Sequence, residues 1–202
     1  MIVRWGLAAL PEVLGALDAR SPLLVAGPRW DALELSLEPH ARWSEVPSHR
    51  IDEAAVLGRA GDSVVAVGGG SAIDLGKAIS AAAEIPLVSV PTTYAGAEWT
   101  TYFGVRDPER KMRGGGAGAR PEGIVYDVGL TLDLPRGPTV GTAMNALAHC
   151  AEALYVHGHN DAADEHALAG ARQIAQSLPL VVEQPHDRGA RTELLEGACR
   201  AL

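Results

Sequence analysis

Short apolar runs alternate along this chain with longer stretches in which apolar residues return every three or four positions. Leu23-Leu24-Val25-Ala26-Gly27, Val64-Val65-Ala66-Val67, Ile85-Pro86-Leu87-Val88-Ser89-Val90 and Gly123-Ile124-Val125-Tyr126-Asp127 are runs of the first kind. The first three read as strands, and the β-branched run Val64 to Val67 as one covered on both faces. Between them, Leu7 to Leu17 reads as an amphipathic helix with Pro11 in its first turn, and Ile51 to Ala60 as a short helix. Thr100 to Val105 reads as a hairpin region, and Trp30 to Arg50 as irregular, with His40, Trp43 and His49 as surface-loop residues. Around Pro135-Arg136-Gly137-Pro138 the strand-like runs stop. Thr139 to Val156, Asp161 to Leu178 and Arg188 to Leu202 then carry apolar stripes at helical spacing. The pattern predicts an α/β fold, with a parallel-sheet domain over 1–136 and the start of an all-α domain over 137–202.

The junction at Ser63 to Lys77 changes the picture from fold to chemistry. A buried strand ends at Gly68-Gly69-Gly70, and Ser71-Ala72-Ile73-Asp74 opens a helix. Glycines let the backbone turn sharply and approach a ligand closely. Ser71 is a suitable N-cap, and a helix N-terminus directs unpaired N–H groups and a positive dipole end toward the turn. Such a turn suits a phosphate, though a tight strand–helix connection that binds nothing has the same outline. The spacing matches neither the dinucleotide fingerprint nor the P-loop, since Lys77 lies too far along and lacks a following Ser or Thr. A second strand ends at Pro91-Thr92-Thr93-Tyr94-Ala95-Gly96-Ala97-Glu98. The hydroxyls of Thr92 and Thr93, at a strand's C-terminal end, suit contacts to a ligand in the crevice of an open sheet.

The 202-residue chain is 47% hydrophobic with a formal charge of −8, which argues against nucleic-acid or anionic-membrane partners. No stretch is long and apolar enough to span a membrane, and the N-terminus lacks a signal-peptide layout. Cys150 and Cys199 have no metal-ligand spacing and read as small buried hydrophobes. A cytoplasmic protein is expected. Gly114-Gly115-Gly116-Ala117-Gly118-Ala119, beside Arg110, Lys111 and Arg113, lacks a strand–helix frame and reads as a mobile surface loop.

In the Thr139–Val156 helix, Asn145, His149 and Glu152 interrupt an apolar surface at spacings of four and three, so they share one face. Met144, Leu147, Ala151 and Leu154 are the expected packing face. A polar stripe of this kind either faces solvent or lines a site.

In this order, the segments resemble the iron-containing alcohol dehydrogenase superfamily, nearest its maleylacetate reductase branch. The resemblance runs from about Val3 onward and is strongest from Val64 to Tyr155. It implies a Rossmann-like cofactor domain, NAD or NADP as cofactor, a small-molecule substrate and a homo-oligomer. Gly68, Gly69, Gly70, Ser71 and Asp74 match the superfamily's pyrophosphate turn, and Thr92 and Thr93 its second cofactor loop, in a Tyr-containing form typical of the reductase branch. In the resembled family a basic residue near the glycine run helps to shape the site, and Lys111 is the candidate here. Metal-dependent members place an Asp and a His four apart on the polar-striped helix, as ligands for a divalent ion such as iron or zinc. Asn145 and His149 occupy those positions here. Asn is a neutral, weaker oxygen ligand, and the resembled branch works without a bound metal. His149 is then the candidate acid or orienting group, histidine being the residue type suited to proton transfer near neutral pH.

The family's helical domain is longer than the stretch after Pro138, and its further histidines are expected past Leu202. His157, His159, His166 and His186 do not sit in that context. The last helix, through Leu194, Leu195, Ala198 and Leu202, has an apolar side in want of a partner. The chain reads as the N-terminal part of a longer protein, a poor or inactive catalyst alone. The implied activity is hydride transfer between a nicotinamide and an activated double bond or carbonyl held between the two domains. A nucleotide-binding fragment without catalysis is the main alternative. A lyase related to 3-dehydroquinate synthase is another, opposed by Asn145 and Tyr94.

Overall fold

The computed structural model describes residues 1–200. In chain order it contains β1 (Ile2–Trp5), α1 (Leu10–Ala16), β2 (Pro22–Ala26), β3 (Ala41–Trp43), α2 (Ile51–Arg59), β4 (Ser63–Gly68), α3 (Gly70–Ala83), β5 (Leu87–Pro91), β6 (Phe103–Arg106), β7 (Met112–Gly116), β8 (Gly123–Tyr126), α4 (Arg136–Ala153), α5 (Asp161–Glu183) and α6 (Arg188–Arg200). Two compact units share these elements. One comprises Met1–Pro91 and Ala97–Asp127; the other comprises Thr92–Gly96 and the chain from Val128 onward. The division after Asp127 precedes the change of sequence character near Arg136, because Val128–Thr131 forms a 3-10 turn that packs on α6.

The first unit is built on a six-stranded sheet in the order β1-β8-β5-β4-β2-β3. Every pairing in it is parallel. The central strands β2, β4, β5 and β8 are buried throughout, as expected of continuous Val/Ile/Leu runs with both faces covered. Leu23, Val25, Val64, Ala66 and Leu87 from the strands meet Ala54 of α2 and Leu75 and Ile79 of α3 in one core cluster. Gly76 lets α3 lie close on this sheet: a Cβ there would sit 2.7 Å from the Ala66 Cβ and 3.1 Å from Leu87 Cδ1.

Two strands depart from the sequence reading. Ala41–Trp43, expected in an irregular stretch, is β3, which pairs with β2 at the sheet edge. His40 precedes it with both ring nitrogens engaged, by the Ser21 carbonyl at 2.9 Å and the Leu57 carbonyl at 2.8 Å. Gly114-Gly115-Gly116, expected as mobile loop, lies in β7 and pairs antiparallel with β6. Two of the glycines are in close contact: a Cβ on Gly115 would meet the Phe103 carbonyl at 2.8 Å, and one on Gly116 the Phe103 ring at 2.9 Å. Lys111 sits at this hairpin's turn, its Nζ donating to Glu109 at 2.6 Å.

The second unit is three helices and the Thr92–Gly96 segment. The buried face of α4 is Thr139, Ala143, Ala146 and Cys150. Met144 and Leu154, expected to pack, are exposed. Small side chains admit close helix approach, so this face goes inward despite its lower hydrophobicity. Leu194, Leu195 and Ala198 of α6, expected to lack a partner, are buried, mainly by α5, with which α6 has its most extensive packing. Leu202, named with them, lies outside the described residues. Helix α5 continues through Pro179 to Glu183.

Candidate functional site

The glycine turn lies at the C-terminal end of β4, in the middle of the sheet. Gly68 has φ +150°, and a Cβ there would press to 2.7 Å from the Ala72 Cβ. Both the dihedral and the space require glycine. Gly69 is the N-cap of α3 with φ −81° and ψ −169°. Ser71, expected as the cap, lies instead in the first turn, and no side-chain bond caps the helix. The earliest bonds of α3 run from the Ala72 and Ile73 amides to the Gly69 carbonyl, at 2.9 and 3.2 Å. The amides of Gly70 and Ser71 therefore stand ahead of the helix's own ladder. Gly69, Gly70 and Ser71 are each partly open to solvent. This turn can bind an anion through backbone groups and the helix dipole.

Asp74, expected as a cofactor residue, makes hydrogen bonds within the protein. Its Oδ2 accepts from the Gly104 amide at 3.1 Å and its Oδ1 lies 3.5 Å from Lys77 Nζ. Burial pushes the Asp74 carboxyl up, against the Gly104 amide and Lys77, which favour the charged form. Lys77 is fully buried; Nζ donates to Thr100 Oγ1 at 2.9 Å and to the Tyr102 carbonyl at 2.7 Å. Burial lowers its pKa, opposed chiefly by Asp74. Next to this clamp, Glu98 is buried and accepts from the Tyr126 hydroxyl at 2.7 Å, which itself accepts from Trp99 Nε1 at 2.7 Å. Sequence reasoning passed over Lys77 as a failed P-loop lysine. Its place three residues after Asp74, one turn along the same helix, was the available signal.

Thr92 and Thr93 follow β5 directly, but by packing they belong with the helices. Thr92 is buried and Thr93 half-buried. Their loop is anchored on α4: the Tyr94 amide donates to Thr142 Oγ1 at 3.3 Å, and Asn145 Nδ2 donates to the Ala95 carbonyl at 3.0 Å.

The polar stripe on α4 is a hydrogen-bonded row. Asn145 Nδ2 lies 3.1 Å from His149 Nε2, and His149 Nδ1 lies 3.1 Å from Glu152 Oε2. The Ala95 carbonyl can only accept, which assigns the amide nitrogen to that side. In the neutral imidazole this pattern has Nδ1–H donating to Glu152 and Nε2 accepting from Asn145. Asn145 and His149 offer a neutral oxygen and a neutral nitrogen at the expected metal positions, and in this arrangement His149 Nε2 is engaged by the Asn145 amide. Among the described residues no group of three or more His, Cys, Asp or Glu is placed to hold a metal.

The profile described as iron-containing alcohol dehydrogenase matches residues 4–128, and that described as Fe-containing alcohol dehydrogenase family, C-terminal, matches residues 139–202. The chain belongs to the iron-containing alcohol dehydrogenase family. Among its relatives, a maleylacetate reductase of Burkholderia cepacia is 44% identical over 146 residues, 72% of this chain and 41% of that protein. Maleylacetate reductase 1 of Cupriavidus pinatubonensis is 35% identical over 203 residues, covering 95% of this chain and 57% of that protein. The chain thus spans about half the length of the curated relatives it matches. The crystal structure of maleylacetate reductase from Agrobacterium tumefaciens superposes with a TM-score of 0.89 at 32% identity, over 99% of this chain and 61% of that one. The sulfoacetaldehyde reductase of Bifidobacterium kashiwanohense, solved in complex with NAD+, shares the fold, with a TM-score of 0.85 at 22% identity over 100% of this chain and 64% of that one. No helix among the described residues of this family member is long and apolar enough to cross a membrane.

Proposed function

We propose that this chain carries the cofactor half of a nicotinamide-dependent reductase of the maleylacetate reductase kind, acting on an activated double bond or carbonyl of a small molecule. The observation that carries the reading is the Gly68 turn: a left-handed glycine at the end of a buried central strand, followed by a helix whose first amides face away from its own ladder. Membership of an oxidoreductase family and the names of its relatives support it. The NAD+ in the sulfoacetaldehyde reductase supports a dinucleotide of that class, NAD or NADP.

In this reading Gly68, Gly69, Gly70 and Ser71 receive the pyrophosphate, with backbone amides as donors and no basic side chain required. Thr92 and Thr93 supply hydroxyls beyond the neighbouring strand end. Asp74 acts indirectly, holding α3 to the Thr100–Gly104 segment. Bound there, a nicotinamide dinucleotide supplies the hydride. His149 orients or protonates substrate, its ring set by Glu152 and Asn145. Asn145 in place of a carboxylate suits a reaction without iron or zinc, in which donors on the protein stabilise the developing enolate or alkoxide. The assembly is proposed as a cytoplasmic homo-oligomer.

Titration of the purified chain with NADH and NADPH, followed by assay with maleylacetate, tests this. Saturable binding of either cofactor is expected. Absence of binding at millimolar cofactor overturns the proposal, and binding without turnover favours a nucleotide-binding role alone.

A further inference from the structure

Arg191 on α6 is only 1% exposed, and the groups that hold it are neutral. Nε donates to the Pro185 carbonyl at 2.6 Å, Nη2 to the Leu134 carbonyl at 3.3 Å, and Nη1 to the Tyr94 hydroxyl at 3.1 Å. Burying a guanidinium is costly unless its donors are met. Two of these acceptors are backbone of the helical unit itself. The third is a side chain 97 residues earlier, also 1% exposed, in the five-residue segment Thr92–Gly96. That segment leaves one strand and returns to the sheet unit, yet it is fastened to the helices at three points. Arg191 takes the Tyr94 hydroxyl, Thr142 the Tyr94 amide and Asn145 the Ala95 carbonyl.

We infer that Arg191 is a positioning residue for the cofactor loop: by holding the Tyr94 hydroxyl it sets the backbone that presents Thr92 and Thr93. The inference rests on the reading of those two threonines as cofactor contacts. Tyrosine is suited to this place because its rigid ring spans from the loop to the buried cation and ends in a group that can accept from it. A phenylalanine would fill the same space and leave one guanidinium donor unmet. The loop would then keep its packing and lose the bond that fixes its depth.

The experiment is a mutant cycle on the full chain, read by fluorescence titration with NADH and by thermal unfolding. Tyr94→Phe is expected to fold cooperatively and to bind NADH about tenfold more weakly, the scale of one buried hydrogen bond. The pair Thr92→Val/Thr93→Val is expected to weaken binding by a similar factor. Combined with Tyr94→Phe it should cost little more, because both changes remove the same contacts. Arg191→Met should reproduce the Tyr94→Phe loss and be non-additive with it; should Arg191→Met not fold, the Tyr94→Phe cycle decides alone. Unchanged affinity in Tyr94→Phe, or losses that multiply with those of the threonine pair, overturns the positioning role while the cofactor reading stands. Threonine variants that bind as wild type overturn the cofactor reading of the loop, and this inference with it.

Discussion

Asp74 and Lys77, one turn apart on α3, grip the same piece of backbone: Asp74 Oδ2 takes the Gly104 amide at 3.1 Å while Lys77 Nζ reaches the Tyr102 carbonyl at 2.7 Å. Together they bolt the start of the β6–β7 hairpin to the helix that follows the glycine turn. Lys77→Met would strand Thr100, Tyr102 and a partly buried carboxylate, and should cost about 3 kcal/mol in urea denaturation. Asp74→Asn keeps an acceptor for Gly104 and should cost about 1 kcal/mol. NADH affinity in Asp74→Asn should stay within about threefold of wild type, under 1 kcal/mol. A loss of about a hundredfold would place the Asp74 carboxylate on the cofactor itself.

Gly68 and Gly69 should fail differently. Gly68→Ala forces φ +150° on a residue with a Cβ and a 2.7 Å contact with Ala72. It should lose about 2 kcal/mol of stability. Gly69 has φ −81°, which any residue can adopt, so Gly69→Val should leave the unfolding midpoint nearly unchanged. It should nevertheless abolish NADH and NADPH binding, because its side chain would occupy the pyrophosphate's space. Calorimetric titration beside thermal unfolding separates the two, and retained binding in Gly69→Val would rule out this turn as the phosphate site.

Asn145→Asp should exchange one chemistry for another. The carboxylate cannot donate to the Ala95 carbonyl or to His149 Nε2, so the loop anchor weakens, at about 1–2 kcal/mol. His149 Nε2 is released, and an acidic oxygen stands four residues away. Zinc or cobalt affinity should rise above wild type, to a partial site only. Stoichiometric, tight iron or zinc in the purified wild-type chain would contradict the metal-free reading.

Glu98 gives a pH dependence of stability. Burial pushes its carboxyl above the usual range, while the Tyr126 hydroxyl and, more weakly, Lys77 act the other way. The folded protein holds this proton more tightly than the unfolded chain. Stability from the protonated form is therefore full below the unfolded value, near 4.5, and falls as pH rises toward the raised folded value. Glu98→Gln mimics the protonated acid, so it should be more stable than wild type at pH 8 and about equal to it at pH 4. Urea midpoints at the two pH values check this; an equal difference at both would show that Glu98 does not titrate in that window.

Much of this protein is local and was therefore readable from the chain. Branched apolar runs specify β2, β4, β5 and β8 wherever they sit, because both sheet faces are covered. The triple glycine between a buried strand and a helix has few other geometries, and the row Asn145, His149, Glu152 follows from helical periodicity alone. Tertiary structure decided what depends on distant partners. The edge strand β3 exists because β2 offers it a ladder, and Gly114–Gly116 is a strand because β6 pairs with it. Leu194 and Leu195 are buried because α5 covers them, and small residues, rather than Met144 and Leu154, face inward on α4 because close helix approach rewards them. The Asp74 carboxylate met the Gly104 amide, and Tyr94 met Arg191, through contacts across 30 and 97 residues of chain. Periodicity reports which face of an element is apolar; which polar groups meet is set only when the elements pack.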